Sequence, residues 1–384
     1  MSEMTEFEEA RRRRRRKKAL RRTGRLAVVL AIAGVLVLTG FAGWKLGWGT
    51  YFSNLFASLP GGNGFPVSLD QQEATQLLGM KGSVAVCTDG AVTVYNTRGV
   101  KTGNFPHSYN TPISVYSGGR LLTYDLGGTG WMLTDKTKKL HSASTEHILL
   151  GAALNDQGTV AVSCRGGNYL SEIAVYNTHF EEIFLLNSAD CYVTQLAVSD
   201  SGTLLAVGGV TAEGGALGST LRLHDMTGKR QPVGLTLKDS VILLMRFTAK
   251  NDLVVVTNSG AYRLGTDGTL QAETEFAEAP VAAAISEEGL VAVAAGDYRS
   301  REGVTVTAYD AALQPAGSTA LEHRVLSLQY EKKHLFILTE GELLLADSAL
   351  AEVSSRGGEE IQMIAPWGNA YYAVSNSGLI REKL

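Results

Sequence analysis

Two stretches, ILLGAALNDQGTVAVSCRGGNYLSEIAVYNTHFEEIFLL (148–186) and VTQLAVSDSGTLLAVGGVTAEGGALGSTLRLHDMTGKRQ (193–231), follow one plan. Each opens on a short apolar run and passes a polar four-residue turn, Asn155-Asp156-Gln157-Gly158 or Ser199-Asp200-Ser201-Gly202. A second apolar run follows, then a third, and the unit closes on a more polar one such as KRQPVGLTL (229–237). The plan recurs in VAAAISEEGLVAVAAGDYRSREGVTVTAYDAALQPAG (281–317) and VLSLQYEKKHLFILTEGELLLADSALAEV (325–353). Self-similarity at a period of about 40 residues signals a propeller or a solenoid. Runs such as TVAVSC (159–164), LVAVAA (290–295) and HLFILT (334–339) suit strands buried on both faces between stacked sheets. The more polar closing run suits an outer edge strand. Gly, Asn and Asp in the turns tolerate the left-handed conformation that tight hairpins demand.

Working outward from these units, eight repeats are counted, starting near residues 77, 111, 147, 192, 240, 280, 324 and 360. The last has three strands, IQMIAP (361–366), AYYAVS (370–375) and GLIREKL (378–384). The spare strand PVSL (66–69) fits there as the fourth, which closes a ring and removes an open edge. The fold class expected is therefore all-β, a β-propeller of eight blades closed by an N-terminal strand. A seven-blade count is the alternative, because the first two units are the least regular.

The segment before the repeats is of another kind. Leu26 to Gly43 reads LAVVLAIAGVLVLTGFAG, without a charge, and at about 1.5 Å per residue it nears the thickness of a hydrocarbon core. Lys45 is the one charge before Trp48 and can snorkel. Trp44, Trp48 and Tyr51 suit a membrane–water boundary. Residues 1–25 hold eleven Arg and Lys against four Glu, a net +7; with the whole chain at −3, residues 26–384 carry −10. A basic block directly before an apolar run places the N-terminus in the cytoplasm. The expected organisation is a cytoplasmic tail (1–25), a transmembrane helix (26–48), a linker (49–65) and an extracytoplasmic propeller (66–384). A cleaved signal peptide is the rival reading, and it fits less well because its apolar region is shorter and ends at a small-residue site. An acidic body also argues against nucleic acid as a partner.

The Val-Tyr-Asn strand ends (94–96 and 175–177) and the run 199–207 resemble YVTN and WD40-type propellers. The basic tail and anchor, Phe65-Pro66-Val67-Ser68-Leu69, SVAVCTDGAVTVYN (83–96), HSYNTP (107–112) and LLTYDLGG (121–128) resemble more specifically a bacterial family of membrane-anchored propellers, the domain of unknown function DUF5711. The resemblance spans nearly the whole chain. It implies a Gram-positive, clostridial-type envelope and a cell-membrane location; it implies no activity.

No HExxH, GxSxG, P-loop or dinucleotide fingerprint occurs, so no catalytic residue, cofactor or metal site is assigned. Three cysteines, Cys87, Cys164 and Cys191, form no disulfide framework and have no metal spacing. They read as small buried residues.

Strand alternation places first-to-second and third-to-fourth loops on one face of a propeller, and second-to-third and blade-to-blade loops on the other. The second-to-third loops lengthen at 125–130, 164–170, 209–219 and 296–303. Long loops in compact domains are often functional. Trp131, Arg165, Tyr169, Tyr298, Arg299 and Arg301 are the expected binding side chains, since aromatic and Arg anchors are favoured in recognition. Cys164 and Cys191 fall on the same face, where an oxidising exterior permits pairing. The function expected is a membrane-anchored envelope scaffold that recognises a protein or a cell-wall polymer through this face. The alternative is an envelope hydrolase or lyase with its site at the central channel.

Overall fold

The structure, a computed structural model, describes residues 64–69, 73–213, 215–297, 303–356 and 361–384. The tail and membrane segment of the sequence reading lie outside these residues; among the described residues no helix is long and apolar enough to cross a membrane. Contacts divide the chain into units 1–56 and 57–384, and the second unit contains all the repeats.

All described elements are strands, and they pair into eight separate antiparallel sheets. Seven sheets have four strands in sequence order, and the last has three. The sheets, here blades 1 to 8, span 74–106, 112–144, 149–188, 192–237, 242–275, 280–321, 325–355 and 363–383. Every start falls within three residues of the sequence expectation, and the seven-blade alternative falls away.

The blades form a closed ring because of where the apolar side chains meet. Eight buried clusters exist among the described residues, and each joins two consecutive blades. The second strand of a blade is sandwiched between neighbours and is buried along its whole length, as in Ser83–Thr88, Leu253–Thr257 and Ala370–Ser375. Outer strands meet a neighbour on one side at most, and Leu270–Glu275 alternates between exposed and half-buried.

The ring closes where the sequence placed the spare strand. Val67 and Leu379 exchange two backbone hydrogen bonds of 2.8 Å. Phe65, Val67 and Leu69 pack on the cluster between blades 8 and 1, with the Phe65 ring 5.8 Å from that of Tyr372. A single bridge suffices because the apolar cluster beneath it supplies the cohesion.

One turn recurs with changing residues. The first-to-second turns of blades 3 to 6 begin on Asn155, Ser199, Thr248 and Ser286, and their fourth residues are Gly158, Gly202, Asn251 and Gly289. All four of these have positive φ, from 63° to 94°. Asn251 fits a place otherwise held by glycine because its short polar side chain tolerates the left-handed region.

Candidate binding face

Consecutive antiparallel pairing fixes two faces, called here the short-loop face (first-to-second and third-to-fourth turns) and the long-loop face (second-to-third and blade-to-blade connections). On the long-loop face blades 2 and 3 interlock. Leu126 of blade 2 bridges Leu149 of blade 3, and Gly127 N donates to Leu149 O at 2.9 Å. Arg165 N donates to Ile148 O at 2.9 Å and Leu170 N to Ser188 O at 2.9 Å, so both ends of the 165–170 loop are pinned by backbone.

Within this frame Arg165, Asn168, Tyr169, Ala189 and Tyr192 line one concavity of about 310 Å³. Tyr169 and Tyr192 are 46% and 43% exposed, high for aromatic side chains in an ordered frame. Beside them Asp190 makes a two-pronged ion pair with Arg222, and its Oδ1 also accepts from Ser188 Oγ at 3.0 Å. Burial alone would raise the Asp190 carboxyl; the hydrogen bonds from Ser188 and Arg222 outweigh it and hold the group below its ordinary value. Asp190 is therefore a fixed anion.

The predicted loop at 209–219 is largely strand. The ladder between Leu204–Glu213 and Ala216–Asp225 is unbroken from Leu204↔Asp225 to Glu213↔Ala216. A Gly-rich composition reads as loop, yet Val210, Thr211, Ala212 and Leu217 sustain the pairing. The hairpin passes beyond its neighbours: pairing to the inner strand stops at Val210 and pairing to the outer strand at Ser219. Leu217, near the tip, is 61% exposed and lines a second concavity of about 200 Å³ with Thr211, Thr236 and Lys238.

The six expected side chains separate. Arg165 and Tyr169 share one site. Trp131 does not reach it: it lies in the strand Gly130–Thr134, is 1% exposed and packs between blades 2 and 3 against His141 and Tyr176. A blade strand is covered on both sides, so an aromatic one residue inside the strand end is core. Tyr298, Arg299 and Arg301 lie outside the described residues. Leu126, Ile148, Tyr192 and Leu217 join the face without having been singled out. Leu217 is the one with a sequence signal, as the only large apolar side chain between Val210 and Leu221 in a stretch of small and polar residues.

The three cysteines are buried free thiols, so Cys164 and Cys191 are not paired. Burial pushes the Cys87 thiol up to about 11 and raises Cys164 as well, which leaves both unreactive.

The central channel forms a cavity of about 710 Å³ between inner strands of blades 1 to 6. Asp156, Asp200, Arg246 and Glu287 stand at its short-loop end. Burial and then the charge of Asp156 raise the Asp200 carboxyl. Arg246 is paired with Glu287 at 3.4 Å, and Asp156 Oδ1 accepts from Ser117 Oγ and Gly118 N. Among the described residues no group of His, Cys, Asp and Glu is arranged to hold a metal ion.

The profile of the family of unknown function DUF5711 matches residues 67–384. No curated protein matches the chain. Among solved structures, Sqt1 of Saccharomyces cerevisiae superposes with a TM-score of 0.59 at 12% identity, over 84% of this chain and 100% of that one. BamB of Moraxella catarrhalis gives 0.55 at 12% identity, over 82% and 97%. The dihydro-heme d1 dehydrogenase NirN, in complex with DHE, gives 0.55 at 14% identity, over 83% and 71%. Likeness at these identities concerns the fold alone.

Proposed function

We propose that this chain, which belongs to the DUF5711 family, is a membrane-anchored extracytoplasmic scaffold whose long-loop face binds a protein partner. One observation carries the reading: Leu126, Ile148, Tyr169, Tyr192 and Leu217 are exposed together along the long-loop ends of blades 2 to 4. Exposed apolar side chains gathered on one face mark interaction sites, whereas single ones are ordinary. Two tyrosines beside a fixed Asp190–Arg222 pair and Arg165 supply the aromatic and charged anchors that recognition surfaces favour. The membrane segment 26–48 and the eleven Arg and Lys directly before it support an anchored protein with its propeller outside the cytoplasm. A cell-wall polymer is the other ligand this location offers; the exposed leucine and isoleucine favour protein.

Crosslinked capture from native membranes, comparing the natural chain with a Tyr169→Ala, Tyr192→Ala, Leu217→Ser variant, tests the reading. A partner held by the natural chain is expected to be lost, by about tenfold or more for two aromatic anchors. A partner retained in full by the variant would refute the assignment of the face.

An envelope hydrolase or lyase is the second reading, favoured by the raised Asp200 carboxyl at the mouth of the channel cavity. An Asp200→Asn variant that abolished a measured bond-cleaving activity would decide for it.

A further inference from the structure

The short-loop face is divided by charge, and the division coincides with the place where the chain joins the ring. In blades 8, 1 and 2 its turns and strand ends present Lys383, Lys81, Arg98, Lys101, Lys138 and Lys139, all exposed. Blade 7 adds Lys332 and Lys333 at its first turn. Lys81, Arg98, Lys101, Lys139 and Lys383 take part in none of the ion pairs found among the described residues.

Three carboxylates of this sector are turned to internal work, while Glu352 in blade 7 is exposed. Asp135 is buried and its Oδ1 accepts from Thr137 N and Lys138 N, both at 2.8 Å. Glu331 accepts from Gly368 N at 2.8 Å, and Glu382 from the Tyr371 hydroxyl at 3.0 Å. Across the ring carboxylates join the bases: Asp156, Asp200, Glu287 and Glu288 are exposed at the first turns of blades 3, 4 and 6, beside Lys229, Arg230 and Lys250 in blades 4 and 5.

The positive sector is rigid. Lys136 is buried, and its ammonium donates to Lys81 O, tying the turn of blade 2 to that of blade 1. Burial, and then the charge of Lys81, lower the Lys136 pKa against the pull of Asp135. Gly64 N donates to Arg98 O at 3.2 Å, so the chain enters the ring within this sector.

We infer that the basic sector of the short-loop face docks on an anionic lipid surface and holds the propeller against the membrane in one orientation. The occupant is identified by charge complementarity and by continuity: the residues leading into Gly64 include the proposed membrane segment, so on that reading a bilayer lies within reach of the joining point. The inference rests on that anchor reading. Each Lys or Arg held near an anionic surface strengthens partitioning about fivefold, so five or six acting together orient a tethered body. Docking this sector leaves the long-loop face, at the opposite ends of the strands, open to a partner.

The full chain, reconstituted in nanodiscs of phosphatidylcholine alone or of two parts phosphatidylcholine to one part phosphatidylglycerol, tests this by hydrogen exchange. Amides of the turns at 81–82, 97–100 and 135–138 are expected to exchange about fivefold or more slowly in the anionic discs. Raised salt, or Lys81→Gln, Lys101→Gln, Lys139→Gln and Lys383→Gln combined, is expected to restore the neutral-disc rates. All four are exposed, and unchanged exchange in the second strands of the blades shows that the variant is folded. Equal rates in both discs, or slowing confined to the long-loop face, overturns the inference and leaves the anchor reading intact. Failure of the chain to enter discs of either composition overturns both.

Discussion

The two faces of the ring are made from the same strands and differ in what their ends do. On the short-loop face, turns of neighbouring blades are hydrogen-bonded side by side: Asn155 Nδ2 donates to Ser199 O at 2.8 Å, Ala249 N to Glu287 O at 2.9 Å and Gly368 N to Glu331 Oε1 at 2.8 Å. The third-to-fourth turns also send side chains inward. Leu313 and Leu350 have φ of 58° and 56°, yet both are buried in inter-blade clusters. Burial of a leucine, worth about 2 kcal/mol, outweighs a left-handed backbone that costs about 1. On the long-loop face of blades 2 to 4, Leu126, Ile148, Tyr169, Tyr192 and Leu217 are exposed, although Trp131 beside them packs inward. Both faces carry hydrogen bonds between blades, as Gly127 N to Leu149 O on the long-loop face shows; what differs is that the short-loop turns bury leucines while the long-loop ends of blades 2 to 4 leave apolar side chains exposed for recognition.

Substitutions test that division, beginning with the most costly. Leu313→Ala, at a turn of the short-loop face, is expected to lower stability by about 2–5 kcal/mol, since it empties a fully buried position and keeps the backbone strain. Trp131→Ala belongs with it at about 3–5 kcal/mol, because the ring is core and not anchor. Denaturant unfolding of the purified chain measures both. If Trp131→Ala left stability unchanged and weakened partner capture, the reading of Trp131 as packing would fail.

Asn155→Ala comes next. The side chain accepts from Gly158 N and Thr159 N and donates across the blade boundary to Ser199 O. Its removal strands buried partners, and about 1–3 kcal/mol of stability is expected to go. Tyr169→Ala and Tyr192→Ala, on the opposite face, are expected to change stability by about 0.5 kcal/mol or less. A loss comparable to that of Asn155→Ala would show that these two tyrosines pack the ring and are not free anchors.

The same contrast explains what was legible in the sequence. Blade number and blade starts could be read because the doubly buried second strands repeat whatever the neighbours are, and in blades 3 to 6 so do their Asn-, Ser- or Thr-led turns. The closing strand was legible for the same reason, a blade short of one strand facing a spare strand. The end of the ring to which each loop belongs was legible from strand direction alone, and so was the place of Arg165 and Tyr169 on the long-loop side. Exposure of single side chains was not. Trp131 and Tyr192 both sit within a residue of a strand end, and what separates them is the cover of the adjoining blade, which no local pattern encodes. In the 209–219 stretch, glycines that signal a loop in isolation are carried by a ten-residue ladder.

The smallest expected effect concerns pH, and it also divides the faces. His224 is buried near the end of Ala216–Asp225 on the short-loop side, 6.1 Å from the Phe184 ring, and its Nε2 has no hydrogen-bond partner. Burial, then the charge of Arg222, lower its pKa from the ordinary 6.5. The unfolded chain therefore binds a proton here at a higher pH than the native one. The contribution of His224 is accordingly fully present above about pH 6.5 and is lost as pH falls through the lowered native value. His107, between blades 1 and 2 on the long-loop side, is lowered by burial too, but Asp125 and Asp89 pull it back. Acid sensitivity should therefore track His224 more than His107. Thermal melts at pH 7.5 and pH 5 are expected to differ less for His224→Phe than for the natural chain, and His107→Phe is expected to narrow the gap less. Equal narrowing by both variants would remove this last distinction between the faces.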